Sequence, residues 1–203
     1  MSEATMISAK DVKALRDATG AGMMDCKKAL QETNGDLEKA IDALRARGAA
    51  KAEKRAAKSA NEGVIGSYVH FDGRTAVIVE VNCETDFVAN TDDFKALAKD
   101  LAMHIASAAP VSVSHEDIPQ DVIDRERAVY LQQVKAEGKP EHIIDKIIEG
   151  KLQKFFKQST LLAQPFVKDP DKSIADLITE VSARTGEKIQ VARFARMKVG
   201  DIA

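Results

Sequence analysis

The chain has 203 residues, enough for one sizeable domain or two small ones, and a net charge of −2, which gives no general attraction to nucleic acid or membranes. Hydrophobic residues make up 44% and charged residues 31%, as is typical of soluble proteins, and no apolar run approaches the roughly 18 residues of a membrane span. The two cysteines match no disulfide or metal pattern and the first five residues do not resemble a secretory signal, so we expect a cytoplasmic protein without a metal or another cofactor.

The first 48 residues predict a bundle of three short helices. A capping box beginning at Ser8 opens the first helix, which a glycine-rich turn ends. The second helix is predicted at residues 23–33. Asp36 caps the third, and Gly48 is predicted to end it as a C′ glycine. The arrangement is similar to the ubiquitin-associated type of three-helix module.

Residues 45–58 are rich in Ala and contain six Lys or Arg side chains against a single acid, Glu53. Since Ala, Lys and Arg favour helices, the sequence predicts a basic helical linker, which we assign to residues 49–62. Its cations also suggest an alternative function, the binding of nucleic-acid phosphates. However, the charge is confined to one short segment, and no aromatic stacking platform accompanies it.

Residues 63–203 predict a second domain that mixes helices and strands. Two β-rich runs surround Asp72-Gly73, which is the strongest short signal for a hairpin. Helical periodicity is found at residues 92–108, 119–137, 141–158 and 174–184. The second and third of these helices are expected to form an antiparallel hairpin. The remaining predicted elements are an extended segment at 161–167, a turn at 169–171 and a closing strand at 188–199.

The predicted fold class is therefore α+β. It comprises a three-helix bundle at residues 1–48, a helical linker at 49–62, and a domain at 63–203 with a small antiparallel sheet and a helical hairpin. The sequence contains no P-loop, no Gly-rich dinucleotide motif and no nucleophile–base set. An enzyme is therefore the least favoured function, and we predict no catalytic residues.

The most informative segment is VNCETDFVA at residues 81–89. It closes an alternating strand pattern and places Asp86 and Phe87 at a strand-to-helix turn. A Phe beside an acid at such a turn is poorly placed for a core and well placed for insertion into a partner. Thr85 can cap the turn or bond across an interface, and Val88 can pack beneath the ring.

Three sequence patches, in order, resemble the elongation factor Ts family, the guanine-nucleotide exchange factors of elongation factor Tu. They are TGAGMMDCKKAL followed by NGD at residues 19–36, VNCETDFVA at 81–89, and LAQPFV at 162–167. The resemblance covers nearly the whole chain and is to the short form of the family, in which two chains supply the two halves of the core. It therefore implies a homodimer, with true twofold symmetry in place of an internal repeat.

The resemblance also implies a mechanism. The chain would bind elongation factor Tu with GDP and promote GDP release by displacing Mg²⁺ and its coordinating shell, which allows GTP to enter. Asp86 and Phe87 would be the displacing pair, and Thr85 and Val88 would complete this contact. No metal is assigned to the chain itself, and neither nucleic acid nor a membrane is required.

Two weaker contacts follow from the same resemblance. Val12, Met23 and Met24 would dock on the G domain of elongation factor Tu, although the two Met side chains could equally cover the core of the bundle itself. His104 would contact the third domain of elongation factor Tu, although a lone helical His is usually structural. A rival hypothesis, in which the bundle is a ubiquitin-like adaptor, leaves the other two patches without a role.

Overall fold

The computed structural model describes residues 7–201, so residues 1–6 of the first predicted domain and 202–203 of the last lie outside the described residues. It confirms the α+β class, with helices and a small antiparallel sheet. The chain divides into two compact units. Unit 1 comprises the chain up to Val64 together with residues 81–97 and 176–190, and unit 2 comprises residues 65–80, 98–175 and 191 onwards.

The predicted three-helix bundle is present in unit 1. Its helices are α1 (Ala9–Thr19), α2 (Met23–Glu32) and α3 (Leu37–Arg55). Ser8 and Asp11 cap α1 reciprocally, and the Asp36 side chain accepts the Lys39 N–H at the start of α3, as predicted. The three helices enclose a small apolar core of Val12, Leu15, Cys26, Ala29, Leu30, Ala40 and Leu44.

The third helix does not end at Gly48, so that prediction is wrong. Helix α3 continues to Arg55, which confirms a helical start to the basic linker. Gly48 is buried inside the helix, and a Cβ on it would lie 3.3 Å from the Cβ of Ala183 in α8 (Ile174–Thr185). Gly48 therefore serves a close approach of two helices, at the cost of some helix propensity.

Five strands are described: β1 (Glu62–Val69), β2 (Thr75–Cys83), β3 (Pro165–Phe166), β4 (Asp169–Ser173) and β5 (Gln190–Lys198). The first two form the predicted hairpin, and β1, β2 and β5 make a three-stranded sheet in that order. The turn predicted at residues 169–171 is wrong, because these residues lie in β4, which pairs antiparallel with β3. A proline is tolerated there because a two-stranded sheet consists only of edge strands.

Three further helices follow the predicted periodicity: α5 (Asp92–Ala108), α6 (Gln120–Ala136) and α7 (Glu141–Ser159). Helices α6 and α7 pack together as a hairpin around Val134, Ile144, Ile148 and Leu152. In unit 2, α5 also lies close to β1, since a Cβ on Gly66 would lie 2.5 Å from the carbonyl oxygen of Ala98. Among the described residues, no helix is both long and apolar enough to cross a membrane.

Candidate partner-binding site

A single helical turn, α4 (Asp86–Ala89), follows β2 and carries the predicted displacing pair. Thr85 is its N-cap residue, and its Oγ1 accepts a hydrogen bond from the Val88 N–H at 3.4 Å. This confirms the capping role of Thr85. The turn α4 is an additional short helix that the periodicity did not indicate, because it is separate from α5, which begins at Asp92 as predicted. An extended N-cap residue with a hydroxyl is the usual way to begin such a turn.

Phe87 is 82% exposed in this chain. Asp86 is exposed beside it, Val88 is half-buried, and only Ala89 of this turn is buried. The neighbouring core is filled by other side chains, including Cys83 and the fully buried Phe94. Phe87 is therefore not needed for the core and is free to contact a partner.

The bundle presents a second apolar surface in unit 1. Met24 is 75% exposed and Met23 about half exposed, so neither covers the core of the bundle. Flexible, polarisable Met side chains adapt well to a partner surface. Val12, by contrast, lies in the bundle core, and we leave it out of the docking surface proposed below.

Comparison of the sequence with known proteins shows which family the chain belongs to. The family model described as Elongation factor TS matches residues 4–201. The chain is 56% identical to the elongation factor Ts of Thermosipho melanesiensis over 97% of this chain and 100% of that protein. It is 58% identical to the elongation factor Ts of Syntrophomonas wolfei over 97% of this chain and 92% of that protein. The corresponding values for the elongation factor Ts of Carboxydothermus hydrogenoformans are 54%, 97% and 90%.

The chain belongs to the elongation factor Ts family. The family resemblance seen in three sequence patches is thus confirmed over the full described length. Because the alignments cover 90–100% of these three relatives, they support the resemblance to short members of the elongation factor Ts family. A role as a translation elongation factor follows from this membership.

His104 lies in the interior of unit 2. Its side chain is fully buried in unit 2, where Nε2 lies 3.0 Å from Gln164 Oε1 and Nδ1 accepts the Val167 N–H at 3.3 Å. Burial lowers the pKa of this imidazole, which favours the neutral form. These contacts give His104 a structural role within this elongation factor Ts chain, and its contact with a partner stays a prediction.

Both cysteines are buried, as expected for small apolar residues. Burial raises the pKa of each thiol, so the reactive thiolate is disfavoured. Cys83 lies just before the turn and donates to the Thr85 carbonyl oxygen at 3.1 Å. It therefore supports the turn from within the unit. Among residues 7–201, no three His, Cys, Asp or Glu side chains are grouped so that they could hold a metal ion.

Sequence reasoning missed the acids that surround the turn. The Glu187 carboxylate accepts the backbone N–H groups of Glu84 and Thr85, at 3.1 and 3.0 Å, and the Thr85 hydroxyl at 2.7 Å. The Glu84 carboxylate accepts the Lys188 N–H at 2.7 Å and pairs with Arg55 and Lys58. No local sequence motif predicts these hydrogen bonds, because Glu84 and Glu187 are 103 residues apart in the chain.

Glu84 should make the stability of this elongation factor Ts chain sensitive to acid. The Lys188 N–H, with help from Arg55 and Lys58, lowers the pKa of the Glu84 carboxyl from 4.5 to about 2. Because this pKa is depressed by folding, the contribution of Glu84 to the free energy of unfolding is fully present above pH 4.5 and is lost as the pH falls towards 2.

Urea unfolding at about pH 5.5 and about pH 3 checks this window. Between these two conditions, Glu84→Gln is expected to lose less stability than the wild-type chain, because it has no carboxylate to protonate. Equal losses in the two proteins would show that Glu84 does not contribute to the acid sensitivity.

Proposed function

We propose that this chain binds elongation factor Tu in its GDP form and accelerates GDP release, so that GTP can enter. The observation that carries the proposal is the turn in which an exposed Phe87 stands beside an exposed Asp86. An exchange factor must bind the nucleotide-free partner more tightly than the GDP-bound one, and by linkage each ligand then weakens the other by the same factor. No bond is made or broken, so no catalytic residue is required.

In this proposal, Phe87 acts as an apolar wedge. Burying a Phe side chain in a pocket yields roughly 1.5–3 kcal/mol, which is enough to stabilise a displaced arrangement of the partner's elements. Asp86 brings a negative charge to the groups that order the water shell of the bound Mg²⁺. Since Mg²⁺ demands nearly ideal octahedral geometry, a small displacement of its ligands should lower its affinity, and that of GDP, considerably.

The bundle supplies the docking contact. Met23 and Met24 lie together at the start of α2, and both are exposed. We propose that they bind the G domain of elongation factor Tu and bring the turn to the nucleotide site. The basic linker need not contact nucleic acid for this function, and a cytoplasmic location, where translation takes place, remains our prediction.

A nucleotide-release assay tests the proposal. Elongation factor Tu is loaded with fluorescent GDP, mixed with excess unlabelled GDP, and followed with and without this chain. We expect release to accelerate by up to about 100-fold at saturating concentrations of the chain. This is the factor by which a typical coupling lowers affinity, and most changes in affinity appear in the dissociation rate. In EDTA the acceleration should be smaller, because the metal has already been removed. An unchanged release rate in Mg²⁺ would contradict the proposal, and tight salt-sensitive RNA binding without release would favour the nucleic-acid alternative.

We further propose that the chain is a homodimer that associates through the outer face of its sheet in unit 2. Ile65 and Val69 of β1 and Ile78 of β2 are exposed there, alternating with buried positions. Arg193 bonds Glu80 on the same face at 2.8 Å, and strand alternation places the exposed Met197 beside them. A second copy, related by a twofold axis, would cover this apolar surface with the same surface.

Ile78→Asp is expected to convert the dimer to a monomer. Ile78 is 55% exposed, so the Asp leaves the single chain intact but would place a charge in the proposed interface. Light scattering at micromolar concentration should fall from about twice the 22.0 kDa chain mass to that of one chain. The control is Val129→Asp, an exposed apolar position on α6, which should remain dimeric. A monomeric wild-type chain would refute the dimer without affecting the exchange proposal.

A further inference from the structure

The turn that carries Phe87 is tied to two distant parts of unit 1 by a pair of acids, which we call the carboxylate pair (Glu84 and Glu187). Glu187 accepts the two backbone N–H groups that immediately precede α4. Glu84 accepts in return the Lys188 N–H, next to Glu187 in the sequence. Each acid therefore accepts hydrogen bonds from the backbone next to the other acid. These reciprocal bonds, which we call the brace, hold the segment before α4 against the segment at Glu187 and Lys188.

The end of the basic linker completes the brace. Arg55 Nη1 and Lys58 Nζ lie 2.8 and 3.1 Å from the Glu84 carboxylate oxygens. Lys188 Nζ donates to the carbonyl oxygens of Ala56 and Lys58 at 2.8 and 2.9 Å. Charge-assisted hydrogen bonds of this kind are stronger and geometrically more restrictive than neutral ones. Arg55 and Lys58 of the linker thus form ion pairs within the protein, beside the turn.

Glu187 also determines how Thr85 caps α4. A hydroxyl has one proton to donate and two lone pairs that accept. The Thr85 hydroxyl gives its proton to Glu187 Oε1 at 2.7 Å, which leaves its lone pairs for the Val88 N–H. Without the carboxylate, that hydroxyl can rotate and donate elsewhere, and the single turn of α4 loses its fixed cap.

We propose that Glu187 and Glu84 are positioning residues, which hold the turn of α4 so that Phe87 points outward before any partner is bound. This inference rests on the proposed function. If the segment that carries Phe87 were flexible, it would have to be ordered on binding, and the lost conformational entropy would weaken binding. The braced turn is already ordered in the free chain, so this entropy cost is smaller. The carboxylate pair should therefore affect the maximal rate of GDP release more than the initial docking.

The test uses the full chain with Glu187→Gln, which keeps the shape of the side chain but replaces one acceptor oxygen with an amide donor. Release of fluorescent GDP from elongation factor Tu is measured over a range of chain concentrations. We expect the maximal rate to fall about tenfold, equivalent to about 1.4 kcal/mol. The half-saturating concentration should change by less than about threefold, because docking through Met23 and Met24 is unaffected. Glu53→Gln removes the same charge from an exposed position of α3 and should behave as wild type.

A double variant separates positioning from general stability. If Glu187 acts through Phe87, adding Glu187→Gln to Phe87→Ala should slow release by no more than about twofold further, because coupled residues are not additive. A merely structural role would give the full tenfold loss again. That additive result, or a wild-type maximal rate in Glu187→Gln while Phe87→Ala is slow, would overturn this inference and leave the proposed function standing. A wild-type rate in Phe87→Ala would overturn both.

Hydrogen exchange of the wild-type chain keeps the inference testable if Glu187→Gln does not fold. The N–H groups of Glu84, Thr85 and Lys188 should exchange at least about 100-fold more slowly than in an unstructured peptide, because each donates to the carboxylate pair. Exchange at unprotected rates would mean that the brace is not formed in solution and would overturn the inference.

Discussion

Replacing Phe87 with Ala is expected to slow the release of GDP from elongation factor Tu by at least about tenfold at saturating concentrations of this chain. Truncating an aromatic residue that is a hot spot of an interface costs about 2 kcal/mol or more, roughly a factor of 30. The fold of the chain should be unaffected, because Phe87 is 82% exposed and contributes little to the core. The free energy of unfolding should therefore stay within about 0.5 kcal/mol of the wild-type value.

The chain provides a matched control in Phe71, which is 92% exposed at the tip of the β1–β2 hairpin. Phe71→Ala removes the same side chain from a similarly exposed position, and this variant should accelerate GDP release as much as the wild-type chain does. Phe87→Leu should lie between Ala and wild type, since it keeps part of the apolar volume. Equal loss of activity in the Phe71 and Phe87 variants would contradict a specific wedge.

Gly66→Ala is expected to destabilise the fold by about 1–3 kcal/mol or more, since an added methyl group has no room. Its Cβ would lie 2.5 Å from the Ala98 carbonyl oxygen and 2.8 Å from the carbonyl carbon. These are backbone atoms of α5, so neither side-chain rotation nor a small local shift relieves the overlap. For a chain of this size the loss corresponds to a fall in Tm of about 2–10 °C, measurable by calorimetry or thermal circular dichroism.

Gly150→Ala is the control of opposite sign. Gly150 lies inside α7, and a Cβ there meets nothing within 4 Å. Ala is favoured over Gly in a helix interior by about 0.8–1.0 kcal/mol, so this variant should unfold at a slightly higher temperature than wild type. An unchanged or higher Tm in Gly66→Ala would contradict the steric overlap between β1 and α5.

The parts of the fold that follow from the sequence are those with local signals. The capping groups Ser8 and Asp36 locate two helix starts, and both are found as predicted. The Asp72-Gly73 dipeptide locates the hairpin, because few residues adopt the backbone angles of so short a turn. Apolar periodicity locates α5, α6 and α7 to within a residue or two at each end.

The wrong predictions of secondary structure occur where tertiary contacts override the local sequence preference. Gly48 has the sequence signature of a helix end, yet the approach of Ala183 explains it as a buried interior position. Asp169 and Pro170 favour a turn locally, but pairing with β3 places them in a strand. In both cases the deciding partner is remote in the chain, so propensity alone could not identify it.

The candidate site likewise contains residues that the sequence predicts and residues that it does not. The strand-to-helix turn indicates that Asp86 and Phe87 are available to a partner, and the family resemblance implies their displacing role; the structure shows both residues exposed there. Glu187 was not predicted, since nothing near it in the sequence distinguishes it from any other surface acid. Residues that position a site through backbone contacts carry no motif of their own, and three-dimensional proximity is needed to find them.

The uninterrupted helix α3 has a consequence for how strongly the turn can act. It begins in the bundle core and ends at Arg55, whose guanidinium bonds Glu84 beside the turn. Once the bundle has docked as proposed, insertion of Phe87 becomes an intramolecular event. A flexible tether of similar length would give an effective concentration in the millimolar range, spread over many positions. A helix restricts the positions that Phe87 can occupy, so the effective concentration at the insertion point should be higher than with a flexible tether.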